Sequence, residues 1–470
     1  MKNAVPERLV PGLVLTAAWR MLAVIAVLAS VRPVVGQSAP GRETHWIGSW
    51  YAAPVARTDA APAPAQTAAP ASAPAAVPAP PPLPPGILAV APGQVVPEGA
   101  QSLLHFNNQT LRQIVHLTVG GSRIRVVLAN TFGTVPLAIG AAQVALRDKD
   151  ATILPQSSRV LTFGGAARAT IPAGAILLSD PVDLVVRDFA DLAIDLYLPE
   201  DTAALKSPVT LHPAAWQTNY VSAPGNQAGV VTLPVQTTTS YRRGDGLFGA
   251  SWFFLARVEV PAPGAVGSVV AFGDSITDGT GSILDMNNRW PDQLARRLAG
   301  AGQRLAVLNA GIGGNRLLLD GTGPGALARF DRDVLAQPGV THAIVLEGIN
   351  DIGRARQNPL PGAAELIAAH RQLISRAHSR GIKIAGATLT PFEGASYWTP
   401  EGEAKRQALN DWIRTSREYD AFFDFDAAVR DPAHPTKTAA PYDMGDHLHL
   451  NAAGYKAVAE TINLAWFRPN

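Results

Sequence analysis

Residues 266–279, VGSVVAFGDSITDG, decide the fold. From Ser268 to Phe272 the side chains are almost continuously apolar, as in a strand buried on both faces. The run stops at Gly273-Asp274-Ser275, a glycine followed by two residue types that favour helix starts. A doubly buried strand leading straight into a helix is the unit of a parallel sheet covered by helices. Downstream the alternation continues. The spacing predicts helices over 290–301, 326–335, 363–380, 403–418 and 453–464, with strands over 305–309, 342–346, 383–389 and 421–425 between them. Residues 265–470 are therefore expected to form an α/β domain whose site lies at the carboxyl ends of its strands.

Upstream the rhythm is different. Stretches 114–119, 123–128, 192–198 and 252–260 are short and rich in β-branched residues, and Gly120-Gly121, Phe132-Gly133 and Gly164-Gly165 punctuate them. With the aromatic run HWIGSWY at 45–51, they predict a β-sandwich or jelly-roll-like domain over 44–260. An Ala/Pro tract over 52–97 cannot build a core and is read as a disordered insert in that domain. At the start of the chain, Lys2, Arg8 and Arg20 precede an apolar run, Met21–Val31, with Gly36 and Ser38 beyond it. This is the pattern of a signal peptide over 1–37, with an uncleaved anchor or a start at Met21 as alternatives. The expected location is secreted or periplasmic.

Composition excludes several function classes. The chain of 470 residues has 39 basic and 37 acidic side chains, a net charge of +2, and no run that marks a nucleic-acid partner. It has no cysteine, which rules out disulfides, thiolate metal sites and a cysteine nucleophile. No G-x-S-x-G, Walker A or H-E-x-x-H pattern occurs. His370 and His378, eight apart on a predicted helix, have no carboxylate set nearby, so neither a metal nor another cofactor is expected. After the basic–apolar leader no apolar stretch approaches a membrane span, and stable membrane insertion is not expected once the leader is removed.

Four loops at predicted strand or helix ends carry polar or glycine-rich sequence: Gly273–Gly279, Asn309–Arg316, Glu347–Asp351 and Asp446–Asn451. Singly, each has a plain reading. Ser275 or Asp274 can cap a helix, Gly313-Gly314 can form a tight turn, Asn350-Asp351 can form a turn or cap, and His449 can be a structural histidine. Together they supply what acyl transfer needs. A serine hydroxyl requires an adjacent base, and His449 offers one. Asp446, three residues earlier, can fix the tautomer of the ring. The backbone N–H groups of Ser275 and Gly314 and the side-chain amide of Asn350 can face a developing oxyanion. Asn315 and Arg316 are candidate substrate contacts, with a plain surface turn as the alternative, and Asp278, just past Ser275, is read as a turn cap in preference to a group that tunes the serine.

The blocks GDSIT, GGN, GIND and DHLH resemble, in order and spacing, those of the SGNH/GDSL hydrolase superfamily, firmly over 266–470. The segments FNNQTLRQIVHL and SRIRVVLANTFG look, more loosely, like two-domain members of that family, some of which deacetylate xylan or other carbohydrate. The resemblance implies a flavodoxin-like three-layer domain with Ser275, Asp446 and His449 as the triad and Ser275, Gly314 and Asn350 as the oxyanion hole. It implies a secreted carboxylic-ester hydrolase for small or polysaccharide esters. A lipolytic enzyme and a carbohydrate-binding protein with an idle hydrolase domain are the alternatives.

Overall fold

The strand Ser268–Gly273 lies inside a five-stranded parallel sheet, between Ala306–Gly311 and Val340–Leu346. Lys383–Ala387 and Ala421–Phe423 extend the sheet beyond Val340–Leu346. Counted from the first of these strands, the order is 2-1-3-4-5, one of the two common doubly wound orders. The order reverses at the first strand, so the chain leaves neighbouring strands in different directions and opens a crevice at their carboxyl ends. The computed structural model describes residues 44–57, 105–239, 251–264, 266–353 and 360–468. The signal-type segment 1–37 and most of the Ala/Pro tract, 58–97, lie outside the described residues.

The β-rich region is built from antiparallel sheets. One runs Thr44–Tyr51, Leu255–Pro263, Gly121–Ala129, Val182–Val186. Another has six strands, with Gln109–His116 and Asp191–Leu198 paired over their full lengths at its centre. The first strand of the region thus pairs with its last. Residues 52–57, assigned to the insert by composition, are instead ordered. Ala52, Ala53 and Val55 are buried, and Val55–Arg57 pairs with Val209–His212. Their alanines and proline look like the tract that follows, and only pairing with a distant strand, Val55 with Leu211, distinguishes them.

The two regions share one hydrophobic core, continuous from Ile47 to Phe467. Polar contacts stitch the seam. Thr118 Oγ1 accepts from the N–H of Val307, on the edge strand of the parallel sheet, at 3.1 Å. The same hydroxyl donates to the Ser49 carbonyl at 2.9 Å. Tyr51 donates its phenol hydrogen to Asp333 at 2.7 Å. An open sheet edge would present unpaired backbone groups, and the β-rich region covers this one.

Most predicted elements appear within a few residues of their expected ends, and the departures have local causes. The helix expected over 403–418 runs from Pro400 to Thr415, because Thr399 caps it through Gly402 N–H at 2.9 Å and Pro400 starts it. The strand expected over 252–260 breaks at Phe254, whose φ is 56°. The helix expected over 326–335 is α-helical only to Phe330 and widens to a π turn over Asp331–Leu335. Among the described residues no helix is long and apolar enough to cross a membrane.

Candidate active site

Ser275 opens a single-turn helix, Ser275–Asp278, directly after the first parallel strand. The choice between two capping residues is settled by Asp274, whose carboxylate accepts from Ile276 N–H at 2.9 Å. The Ser275 hydroxyl is therefore not needed as a cap. It lies 2.8 Å from His449 Nε2, across 174 residues of chain. His449 Nδ1 lies 2.6 Å from Asp446 Oδ2, and the other oxygen of Asp446 accepts the backbone N–H groups of Leu448 and His449 at 3.1 and 2.9 Å. Burial by itself would raise the Asp446 carboxyl. The hydrogen bond and charge of His449, with these two N–H groups, outweigh it and hold the carboxyl below the usual aspartate range. Asp446 is thus an anion facing the ring, and the nearly buried Ser275, 6% exposed, faces its other nitrogen.

Gly314 has φ 74°, a left-handed conformation that glycine adopts without strain. Among the described residues no acceptor engages the backbone N–H of Gly314 or of Ser275. Asn350, buried at the start of the helix Ile349–Gly353, donates one amide hydrogen to the Asn315 carbonyl at 2.9 Å. This leaves its second hydrogen for another acceptor.

Asn315 and Arg316 sit differently from a substrate-contacting pair. The Asn315 side chain is buried, donating to the Pro324 carbonyl at 2.9 Å and accepting from Arg329 Nε at 2.9 Å. It shapes the loop from within. Arg316 turns its guanidinium onto the Asp320 carbonyl. His447 is exposed and paired with Asp443 at 2.6 Å.

Three groups support the site: Arg329, which the sequence reading did not single out, and Asp351 and Asp278, which it read as turn or cap residues. Asp351 accepts the N–H groups of Leu317 and Leu318 at 2.6 and 3.0 Å, fixing the loop after the second strand to the loop after the third. Arg329 is fully buried and donates to the carbonyls of Gly273 and Ala310, to Glu347 and Asp333, and to Asn315. One guanidinium thus ties three strand ends together. The third is Asp278, one of whose oxygens accepts from Gly313 N–H at 3.0 Å. Beneath Ser275, Asp274 and Glu347 are completely buried, and each has one oxygen with no hydrogen-bond partner among the described residues. Burial, only partly offset by the Ile276 N–H and nearby positive charge, raises Asp274 to about 7. Glu347 rises as well, through burial and the Asp274 charge. Among the described residues no group of three or more His, Asp or Glu could hold a metal ion.

Residues 271–457 match the sequence profile of the GDSL-like lipase/acylhydrolase family. No curated protein gives a significant match. Among solved structures the chain is similar to an acetyl xylan esterase, at 20% identity over 41% of this chain and 96% of that one, with a TM-score of 0.32. It is also similar to a carbohydrate acetylesterase from Sinorhizobium meliloti, at 16% identity over 41% and 94%, with a TM-score of 0.33. A third is the aryl esterase of M. smegmatis, at 16% identity over 41% and 95%, with a TM-score of 0.34.

Proposed function

We propose, from the premise that residues 271–457 form a GDSL-like lipase/acylhydrolase domain and the chain is a carboxylic-ester hydrolase, that Ser275, His449 and Asp446 perform the hydrolysis. The observation that carries this reading is the unbroken chain from Ser275 Oγ through the His449 ring to Asp446, at 2.8 and 2.6 Å. Ser275 Oγ attacks the ester carbonyl carbon while its proton passes to His449 Nε2. The Asp446 anion holds Nδ1–H and stabilises the imidazolium. Collapse of the tetrahedral intermediate breaks the bond to the alcohol oxygen, which takes the proton from Nε2. Water then attacks the acyl-serine with the same ring as base, releasing the carboxylic acid and restoring Ser275. The N–H groups of Ser275 and Gly314 and the free amide hydrogen of Asn350 receive the oxyanion in both steps.

The substrate is proposed to be a small acyl ester, an acetyl group on carbohydrate first of all, and the enzyme to be exported. The near-burial of Ser275 favours a short acyl group, and the basic–apolar leader in the sequence favours export. One observation favours a lipolytic reading. The loop after the nucleophile helix exposes Ile283 and Met286, 55% and 59% accessible. Turnover of p-nitrophenyl esters of increasing chain length, beside acetylated xylan, separates the two. A maximum at acetate with acetate release from xylan supports the first, and a maximum at long chains overturns it. Ser275→Ala should abolish turnover and fluorophosphonate labelling while the protein remains folded; retained labelling removes Ser275 from the mechanism.

A further inference from the structure

The hydrolytic reading leaves unused a buried pair beside the nucleophile helix. His212 ends the strand Val209–His212 of the β-rich region, and Asp278 ends the helix that begins with Ser275. Their side chains are 4% and 2% exposed. His212 Nδ1 lies 2.8 Å from the Ala53 carbonyl, and Nε2 lies 3.0 Å from Asp278 Oδ1. A carbonyl only accepts, so Nδ1 carries a hydrogen, and the contact to Asp278 holds a second one between ring and carboxyl. The other oxygen of Asp278 accepts from Gly313 N–H, the residue before Gly314. The fit is close: a Cβ on Gly311 would lie 2.2 Å from the Asp278 nitrogen. The Arg289 guanidinium and the Tyr455 phenol act electrostatically with Asp278, and Trp252 packs on the His212 ring at 5.7 Å.

The same strap of the β-rich region holds a second loop of the site. Asp285, ten residues beyond Ser275, accepts from Gln217 Nε2, Thr218 N and Thr218 Oγ1 at 2.6, 2.6 and 2.7 Å, and its own N–H donates to the Trp216 carbonyl. Residues 212–218 therefore brace both the glycine loop and the loop after the nucleophile.

We infer that His212 is a positioning residue for ester hydrolysis: it fixes Asp278, Asp278 fixes the Gly313 N–H, and the Gly314 N–H is thereby aimed at the oxyanion. The inference rests on the oxyanion-hole reading above. The β-rich region is then part of the active site and not a separate binding module. Such a residue acts when charge develops on the substrate oxygen, so its loss lowers kcat more than it raises KM.

The test separates aiming from packing. In His212→Gln the amide N–H takes the place of Nε2 and still reaches Asp278. In His212→Asn it takes the place of Nδ1 and reaches only Ala53. Both lose the ring on Trp252. With kcat expressed per site titrated by fluorophosphonate, His212→Asn should fall about tenfold with KM within about twofold, and His212→Gln should stay within about threefold of the parent. Equal losses in both, or a lowered melting temperature with parental kcat in both, would reduce His212 to packing and overturn the inference. Asp278→Asn, whose amide can accept from Gly313 and donate to His212, against Asp278→Ala repeats the comparison should either His212 variant fail to fold. There the Asn variant should keep the higher kcat, and equal rates overturn the inference. Ser275→Ala, assayed alongside, reports on the underlying reading: labelling retained there condemns the triad, whereas labelling lost there with Gln and Asn alike condemns only the role of His212.

Discussion

The α/β region presents its reactive groups on short loops that follow its strands or precede its closing helix, while the β-rich region reaches the same site from outside that domain. Asp446 and His449 are three residues apart, and Asp274 caps the very helix that Ser275 begins. By contrast His212 meets Asp278 across 66 residues, Thr118 meets Val307 across 189, and Tyr51 meets Asp333 across 282. On the proposed reading, loops within the α/β region carry the chemistry, even where Ser275 meets His449 across 174 residues, and contacts from the β-rich region set how firmly those loops are held. A short helix such as Ser275–Asp278 has too few internal hydrogen bonds to fix its own orientation, so neighbours must supply it.

The comparison is broken most severely by Asn350, which belongs to the first class. On the proposed reading Asn350→Ala removes a donor that acts in the transition state, and kcat per titrated site should fall about 10²–10³-fold with a much smaller change in KM. The Asn315 carbonyl also loses its partner, so some stability is lost as well. Parental kcat per titrated site with a lower melting temperature would show that Asn350 only shapes the turn, leaving the hole to backbone donors.

Asp274 sharpens the comparison from within the α/β region, because it serves Ser275 by position and not by chemistry. Its carboxyl titrates near 7 in the fold, above the ordinary aspartate value of about 4. The folded state therefore binds the proton more tightly than the unfolded chain. That contribution to stability is complete below about pH 4 and is lost as pH rises through 7. Asn in this place still accepts from Ile276 N–H and has no proton to lose. Asp274→Asn should flatten the fall in melting temperature between about pH 4 and 7, while leaving the helix cap intact. A slope identical to that of the parent would show that Asp274 is ionised throughout.

Why the first class was legible and the second was not follows from whether the residues sit in a recognisable local pattern. Strand ends such as Gly273-Asp274-Ser275 announce themselves because the apolar run stops and turn chemistry starts within one window. Arg329 offered a weaker signal, a charge inside a helix packed on the sheet, four residues before Asp333. His212 offered none, since a histidine at the end of a short strand reads the same whether it faces solvent, core or a carboxylate of another region. Ala52–Val55 failed for a related reason: composition is a local average, and pairing with Val209–His212 is not local.

The smallest expected effect concerns Thr118, which distinguishes two kinds of long contact. Like His212 it bridges the regions, but it meets the parallel sheet at Val307, four residues before Gly311 at the carboxyl end, roughly 13 Å of strand away. Thr118→Val keeps the shape and leaves the Val307 N–H and the Ser49 carbonyl without this hydroxyl. A buried group left unsatisfied costs about 1–3 kcal/mol, so unfolding by urea should shift by about that amount. If bracing of the seam and aiming of the oxyanion loop are separate functions, kcat per titrated site should remain within about twofold of the parent. A fall in kcat as large as that of His212→Asn would show that any loosening of the seam disturbs the site. The particular path from His212 through Asp278 to Gly313 would then carry no more of the catalysis than the rest of the interface.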